Sequence, residues 1–107
     1  MALLKKVKTD NGCGCLEIYR EDNNGYITLN YGYLGIYSSE ETYVEAIEDL
    51  AQLAKEYAEL YFDEYDSFKK DMSRRHHEEM LKKILHAKTD DEVLEILGMK
   101  RTIEGIV

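Results

Sequence analysis

Ser38–Phe68 reads SSEETYVEAIEDLAQLAKEYAELYFDEYDSF and contains neither glycine nor proline. Apolar residues recur at Tyr43, Ile47, Leu50, Ala54, Tyr57 and Tyr61, in alternating steps of four and three. That is the period of one helix face. At 100° per residue, Glu41, Glu45, Glu48, Glu56, Glu59, Asp63 and Asp66 fall on the opposite side. A single long helix is therefore expected to carry an apolar stripe and a carboxylate stripe back to back. Ser38 with Glu41 three residues on reads as an S-x-x-E capping box that starts it. Its end is poorly marked, because the rhythm slips after Tyr61 and both Asp66-Ser67 and Asp71-Met72-Ser73 are breakers.

An apolar stripe needs a partner, and the residues before Ser38 supply one. Leu3 to Thr9 reads as a short strand, followed by Asp10-Asn11-Gly12, where Asn-Gly signals a hairpin because both residues tolerate positive φ. Cys13 to Arg20 alternates, with Leu16 and Ile18 on one side and Glu17 and Tyr19 on the other. Asn24-Gly25 repeats the turn signal, and Tyr26 to Tyr31 alternates again. Gly32 and Gly35 flank a last short strand ending at Ile36-Tyr37. The expectation is a three- or four-stranded antiparallel meander with one face packed on the long helix, since so small a sheet is not stable alone.

Beyond Phe68, a second helix is expected from near Asp71 or Ser73, with Met72, His76, Met80, Leu81, Ile84 and Leu85 on one side. Thr89 with Glu92 opens a third by capping-box logic, and Gly98 is a natural stop. Ile103, Ile106 and Val107 end the chain's apolar positions. The fold class is α+β, as one domain over 1–107, with the sheet in 1–37 and the helical part in 38–107. At 107 residues there is room for one modest core.

The net charge of −8 is unevenly placed. Between 40 and 66 there are ten carboxylates against Lys55 alone, a local net of −9. Between 67 and 88 the sign reverses, with Lys69, Lys70, Arg74, Arg75, Lys82, Lys83 and Lys88 against Asp71, Glu78 and Glu79. Direct nucleic-acid binding is disfavoured, because phosphate neutralisation needs a basic face. The acidic helix instead suits a basic protein partner, a nucleic-acid-binding nuclease or effector. An ordinary exposed helix mixes signs and gains i, i+4 pairs, whereas this stripe repels itself. Its seven carboxylates span about 35–40 Å at 1.5 Å per residue, comparable to a run of phosphates. Pairing of the acidic and basic segments between chains gives the alternative: a self-associating or adaptor module, with a homodimer as its simplest form.

Catalytic and metal chemistry find little support. Cys13-Gly14-Cys15 lacks the C-x2–4-C spacing of zinc sites, and no second pair follows. Adjacent His76 and His77 point about 100° apart on a helix and cannot share a metal from it. No serine–histidine–acid set, phosphate loop or H-E-x-x-H is present. The expectation is a protein that is not an enzyme, with no cofactor and no metal. Nine tyrosines suit strands, core edges and interfaces alike, Tyr19, Tyr26 and Tyr33 being candidates for an outer sheet face. No apolar run approaches the roughly 20 residues of a membrane span, and MALLKK is too short in apolar residues for a signal peptide. A cytoplasmic protein is expected.

The strand-to-helix junction Tyr37-Ser38-Ser39-Glu40-Glu41 and the acidic aromatic run Glu59-Leu60-Tyr61-Phe62-Asp63-Glu64-Tyr65-Asp66 resemble the small acidic anti-CRISPR proteins of phages and prophages. The likeness covers about residues 16–72. It implies an inhibitor that blocks Cas9 by DNA mimicry, its acidic residues occupying the site that grips the DNA motif beside the target. The basic segment 69–88 and the helix after Thr89 have no counterpart in that family. If 69–88 folds back over the acidic stripe, the charges neutralise one another; if it points elsewhere, the face is free.

Overall fold

The computed structural model describes residues 1–12 and 14–103. Cys13, Ile106 and Val107 lie outside the described residues.

Four strands, β1 (Ala2–Lys8), β2 (Cys15–Arg20), β3 (Ile27–Tyr31) and β4 (Ile36–Glu40), form an antiparallel meander in the order β1-β2-β3-β4. Alternation sets the inner face. Leu16 and Ile18 of β2 pair with Tyr31 and Leu29 of β3, and all four are buried. The outer face is polar: Asn30 Nδ2 donates to Glu17 Oε1 across the strands, and the Thr28 hydroxyl donates to Ser39. Tyr19 lies on this outer face, paired with Thr28. Tyr33 does not. It sits in the β3–β4 turn, where its hydroxyl donates to the His76 carbonyl.

α1 spans Tyr43–Asp63 and packs on β3 and β4. Tyr43, Ile47, Leu50, Ala54 and Tyr61 are buried as their spacing predicts, and Ala46, Ala51 and Ala58 let neighbouring elements approach. Tyr43 is sealed deeply enough that burial pushes its phenol up to about 12, while its hydroxyl donates to the Lys100 carbonyl. The helix begins four residues later than the Ser38 box suggests. Ser38, Ser39 and Glu40 extend β4, pairing with Leu29, Thr28 and Ile27. Thr42 is the N-cap, accepting from the Glu45 backbone N–H. Two S/T-x-x-E patterns compete here, and ladder hydrogen bonds to β3 take the first. The Ser38 hydroxyl donates inward to the Ala46 carbonyl instead. The sheet thus runs to Glu40 rather than stopping at residue 37.

α1 ends at Asp63, because Glu64 leaves helical dihedrals (φ −113°, ψ 37°). A one-turn helix α2 (Tyr65–Phe68), a loop and a 3₁₀ turn (Arg75–His77) follow. α3 then runs Glu78–His86, later than the expected start at Asp71 or Ser73. Met72 is 75% exposed and His76 is exposed, so His77 takes the core-side position assigned to His76. α4 (Asp90–Leu97) has the expected caps: Thr89 accepts from the Glu92 N–H, and Gly98 adopts φ 75°. Gly98 is required twice over. A Cβ there would lie 2.7 Å from the Asn11 backbone nitrogen, where the β1–β2 hairpin docks on the end of α4. The Asp10 N–H donates to the Gly98 carbonyl and Asn11 Nδ2 to that of Ile96. α3 and α4 cover one flank of α1 while β4 lies along the other. No helix among the described residues is long and apolar enough to cross a membrane.

Candidate functional site

The seven carboxylates of the predicted stripe are all exposed. They do not form one continuous row. Glu41 precedes the helix, Asp66 follows the break at Glu64, and α1 itself is 21 residues, about 32 Å long. Its two halves differ in their neighbours. Near the N-terminus, Arg101 donates to Glu48 at 2.7 Å and to Asp91 of α4, so one guanidinium spans both helices. Gln52 Nε2 adds a 2.8 Å bond to Asp90. Towards the C-terminus, no cation among the described residues comes within ion-pair distance of Glu56, Glu59 or Asp63.

Lys55 is the one cation within the acidic stretch, and its charge is used elsewhere. Its ammonium donates to the carbonyls of Ile84, Leu85 and Ala87, at 3.1, 2.7 and 2.8 Å. Those carbonyls lie at the C-terminal end of α3, which lacks helical partners and carries the negative end of the dipole. Lys55 therefore ties α3 to α1 and compensates none of the stripe carboxylates.

Among the described residues, the basic segment touches the stripe only at its edge, at Asp66. Lys69 pairs with Asp66, Arg74 with Asp71, and Lys82 with Glu78 and Glu79, all within their own turns. Arg74 also stacks over Tyr57 and Phe68, 5.6 and 5.3 Å from the ring centroids. Glu78 receives hydrogen bonds from Tyr65 and Tyr61, which hold its carboxyl below the ordinary range. His77 is buried, with Nδ1 2.8 Å from the Tyr57 hydroxyl; burial, then the His76 charge, push its pKa down. Tyr57, Tyr61, Phe68 and His77 thus seal the segment against α1 by ring contacts.

Between β4 and α1 the surface is grooved. One part, of about 610 Å³, runs from the β3–β4 turn past Leu53, Glu56 and Leu60 to the 3₁₀ turn. A second, of about 470 Å³, continues along Gly35–Ser39 beside Asp49 and Leu53. Gly35, Ile36 and Leu53 line both. This groove was missed in the sequence. Its signal is Leu53 and Leu60, seven residues apart and so two turns apart on the flank between the two stripes.

Among the described residues no three His, Cys, Asp or Glu side chains are grouped to hold a metal. The His76 and His77 rings meet edge to face, centroids 4.1 Å apart, and Cys15 is a free, half-buried thiol. Cys13, the other half of the Cys13–Cys15 pair, lies outside the described residues.

A family model described as PHD-like, "Antitoxin of toxin-antitoxin, RelE / RelB, TA system", matches residues 3–99. Neither a curated protein nor a solved structure matches significantly. The match overturns the likeness to anti-CRISPR proteins, and with it phage counter-defence and DNA mimicry. Acidic aromatic helices after a small sheet are a matter of composition, which unrelated binding proteins share. The self-associating or adaptor alternative is set aside by the same match. The partner of an antitoxin is a protein, its toxin. With nearly all of the sheet and every helix inside the match, the chain belongs to the antitoxin family of RelE/RelB-type toxin–antitoxin systems.

Proposed function

We propose that this antitoxin neutralises a basic toxin by binding it on the C-terminal half of the α1 carboxylate face, with Glu56, Glu59 and Asp63 at the centre and Asp66 at the edge. Glu41, Glu45 and Glu48 extend the same face, Glu48 being partly neutralised by Arg101. The protein acts by binding, without chemistry of its own, in the cytoplasm.

One observation carries this reading. Glu59 and Asp63 stand near the negative end of the α1 dipole, with no basic residue in the helix's last turn. Carboxylates there are disfavoured by the dipole and by one another. A helix shaped by stability alone would place lysine at these positions. The unfavourable placement is relieved when a cationic surface covers it, and complementary charge also speeds association.

The test is co-expression with the cognate toxin, read as growth, together with the affinity of the purified pair at 50 and 300 mM salt. Affinity is expected to fall at least tenfold across that range. Replacing Glu56, Glu59 and Asp63 together by lysine is expected to abolish rescue while the chain remains folded. A triple variant that still rescues and still binds with unchanged affinity would sink the assignment of this face.

A further inference from the structure

β4 is the last strand of the sheet, so its outward backbone N–H and C=O groups have no strand partner within it. That edge runs along the groove, and the opposite wall is the flank of α1. The floor is apolar: Ile36 and Leu53 are half-buried, and Leu60 is 49% exposed. Asp49 and Glu56 line the groove with no cation within ion-pair distance of either among the described residues, while Arg74, paired with Asp71, lines it only at the end by the 3₁₀ turn, so the rim is acidic along the β4 side. From Asp49 to Leu60 is about 16 Å along a helix. Five residues of strand cover about the same length.

An open strand edge, an apolar floor and an acidic rim of matching length describe a seat for an extended chain. We propose that an extended segment of the toxin adds to β4 as a fifth strand, with apolar side chains on Ile36, Leu53 and Leu60 and basic ones toward Asp49 and Glu56. This rests on the antitoxin assignment and names the element of the toxin that the carboxylate face orients. Main-chain hydrogen bonds supply affinity in such strand addition, and alternate side chains supply specificity.

A second copy of the chain fits less well. Pairing β4 with β4 would bring Asp49 and Glu56 of both copies together, and like charges across an interface are costly. Pairing β1, with Lys5, Lys6 and Lys8, onto β4 of another copy is head-to-tail, and such contacts close only into rings or run on as filaments.

The experiment is a ¹H–¹⁵N NMR titration of the full chain with a nine-residue peptide alternating valine and lysine, and with its valine–glutamate counterpart. The basic peptide is expected to shift the amides of residues 36–40 together with Leu53 and Leu60, saturably, and the acidic peptide to shift none. Leu53→Glu/Leu60→Glu is expected to weaken the basic peptide at least tenfold, and Leu60→Glu alone, at an exposed site, to weaken it with the spectrum otherwise intact. Absence of binding, equal binding of both peptides, or shifts confined to Glu45 and Glu48 would overturn the groove assignment. So would sedimentation showing concentration-dependent self-association that Leu60→Glu abolishes. Co-expression separates the two levels. If Leu53→Glu/Leu60→Glu still rescues growth, the groove fails and the antitoxin assignment stands; if the parent chain does not rescue, the antitoxin assignment fails first.

Discussion

The two sides of α1 are built on opposite principles. On one flank α3 and α4 close over the helix, and polar side chains tie them down: Lys55 on three carbonyls, His77 on Tyr57, Gln52 on Asp90. On the exposed C-terminal half of α1, and along the groove beside it, Glu56, Glu59 and Asp63 stand together with no cation in ion-pair distance among the described residues, and Leu60 meets solvent. The first arrangement lowers the energy of the folded chain. The second raises it slightly, a cost that toxin binding at this face, as proposed, would offset. Substitutions on the two sides should therefore differ in size and finally in sign.

The largest effect belongs to the closed flank. Leu81 is fully buried in the core that α3 shares with α1. Leu81→Ala is expected to cost about 2–5 kcal/mol, the usual range for a buried leucine replaced by alanine. Urea denaturation measures it, and a cost near zero would mean that α3 is not packed as described. Lys55→Met comes next. It keeps the apolar stem but removes a cation from three carbonyls at a helix end, for about 1.5–3 kcal/mol by the usual worth of hydrogen bonds to charged groups. The measurement is the same, with loss of protection at the end of α3 in hydrogen exchange as the local signature.

His77 gives the closed flank a pH dependence. Burial and the neighbouring His76 lower its folded pKa below the ordinary 6.5. The unfolded chain therefore binds this proton at higher pH than the folded one, and stability rises with pH between the two values. It should be complete above about pH 6.5 and decline as the pH falls towards the depressed value. Glu78 and Asp71 are lowered from 4.5 and 3.8, so their contributions are lost only at more acidic pH. Denaturant midpoints at pH 7.5, 6.5 and 5.5 should fall for the parent chain and stay flatter for His77→Gln. Equal slopes would remove His77 as the cause.

The closed side was the legible one. Period two over residues 16–31, period three-and-a-half over Tyr43–Tyr61 and the Thr89/Gly98 caps are local signals that tertiary packing did not override. The start of α1 was misplaced because Ser38-x-x-Glu41 and Thr42-x-x-Glu45 satisfy the same rule, and only pairing with β3 decides between them. Residues 64–77 resisted because their order comes from ring contacts of Tyr57, Tyr61, Phe68 and His77 across the turn. The carboxylate face was visible as charge. Its isolation was not, because whether Lys55 and the basic segment neutralise it depends on where their side chains reach in three dimensions. The groove is made by elements distant in sequence, and the toxin partner has no local signature at all.

The smallest effect is the most discriminating. Asp63→Lys replaces a carboxylate at the unfavourable end of the α1 dipole with a cation, and places that cation four residues after Glu59 in the favoured orientation. On a purely structural surface such a change is neutral or helpful. Here it should raise stability by about 0.5 kcal/mol, reduced by salt screening at so exposed a site. The same substitution should weaken toxin binding, most at low salt. Opposite signs in the two measurements identify a face kept for its partner at the expense of the helix that carries it. A loss of stability together with unchanged binding would make Asp63 an ordinary structural residue and move the toxin interface elsewhere.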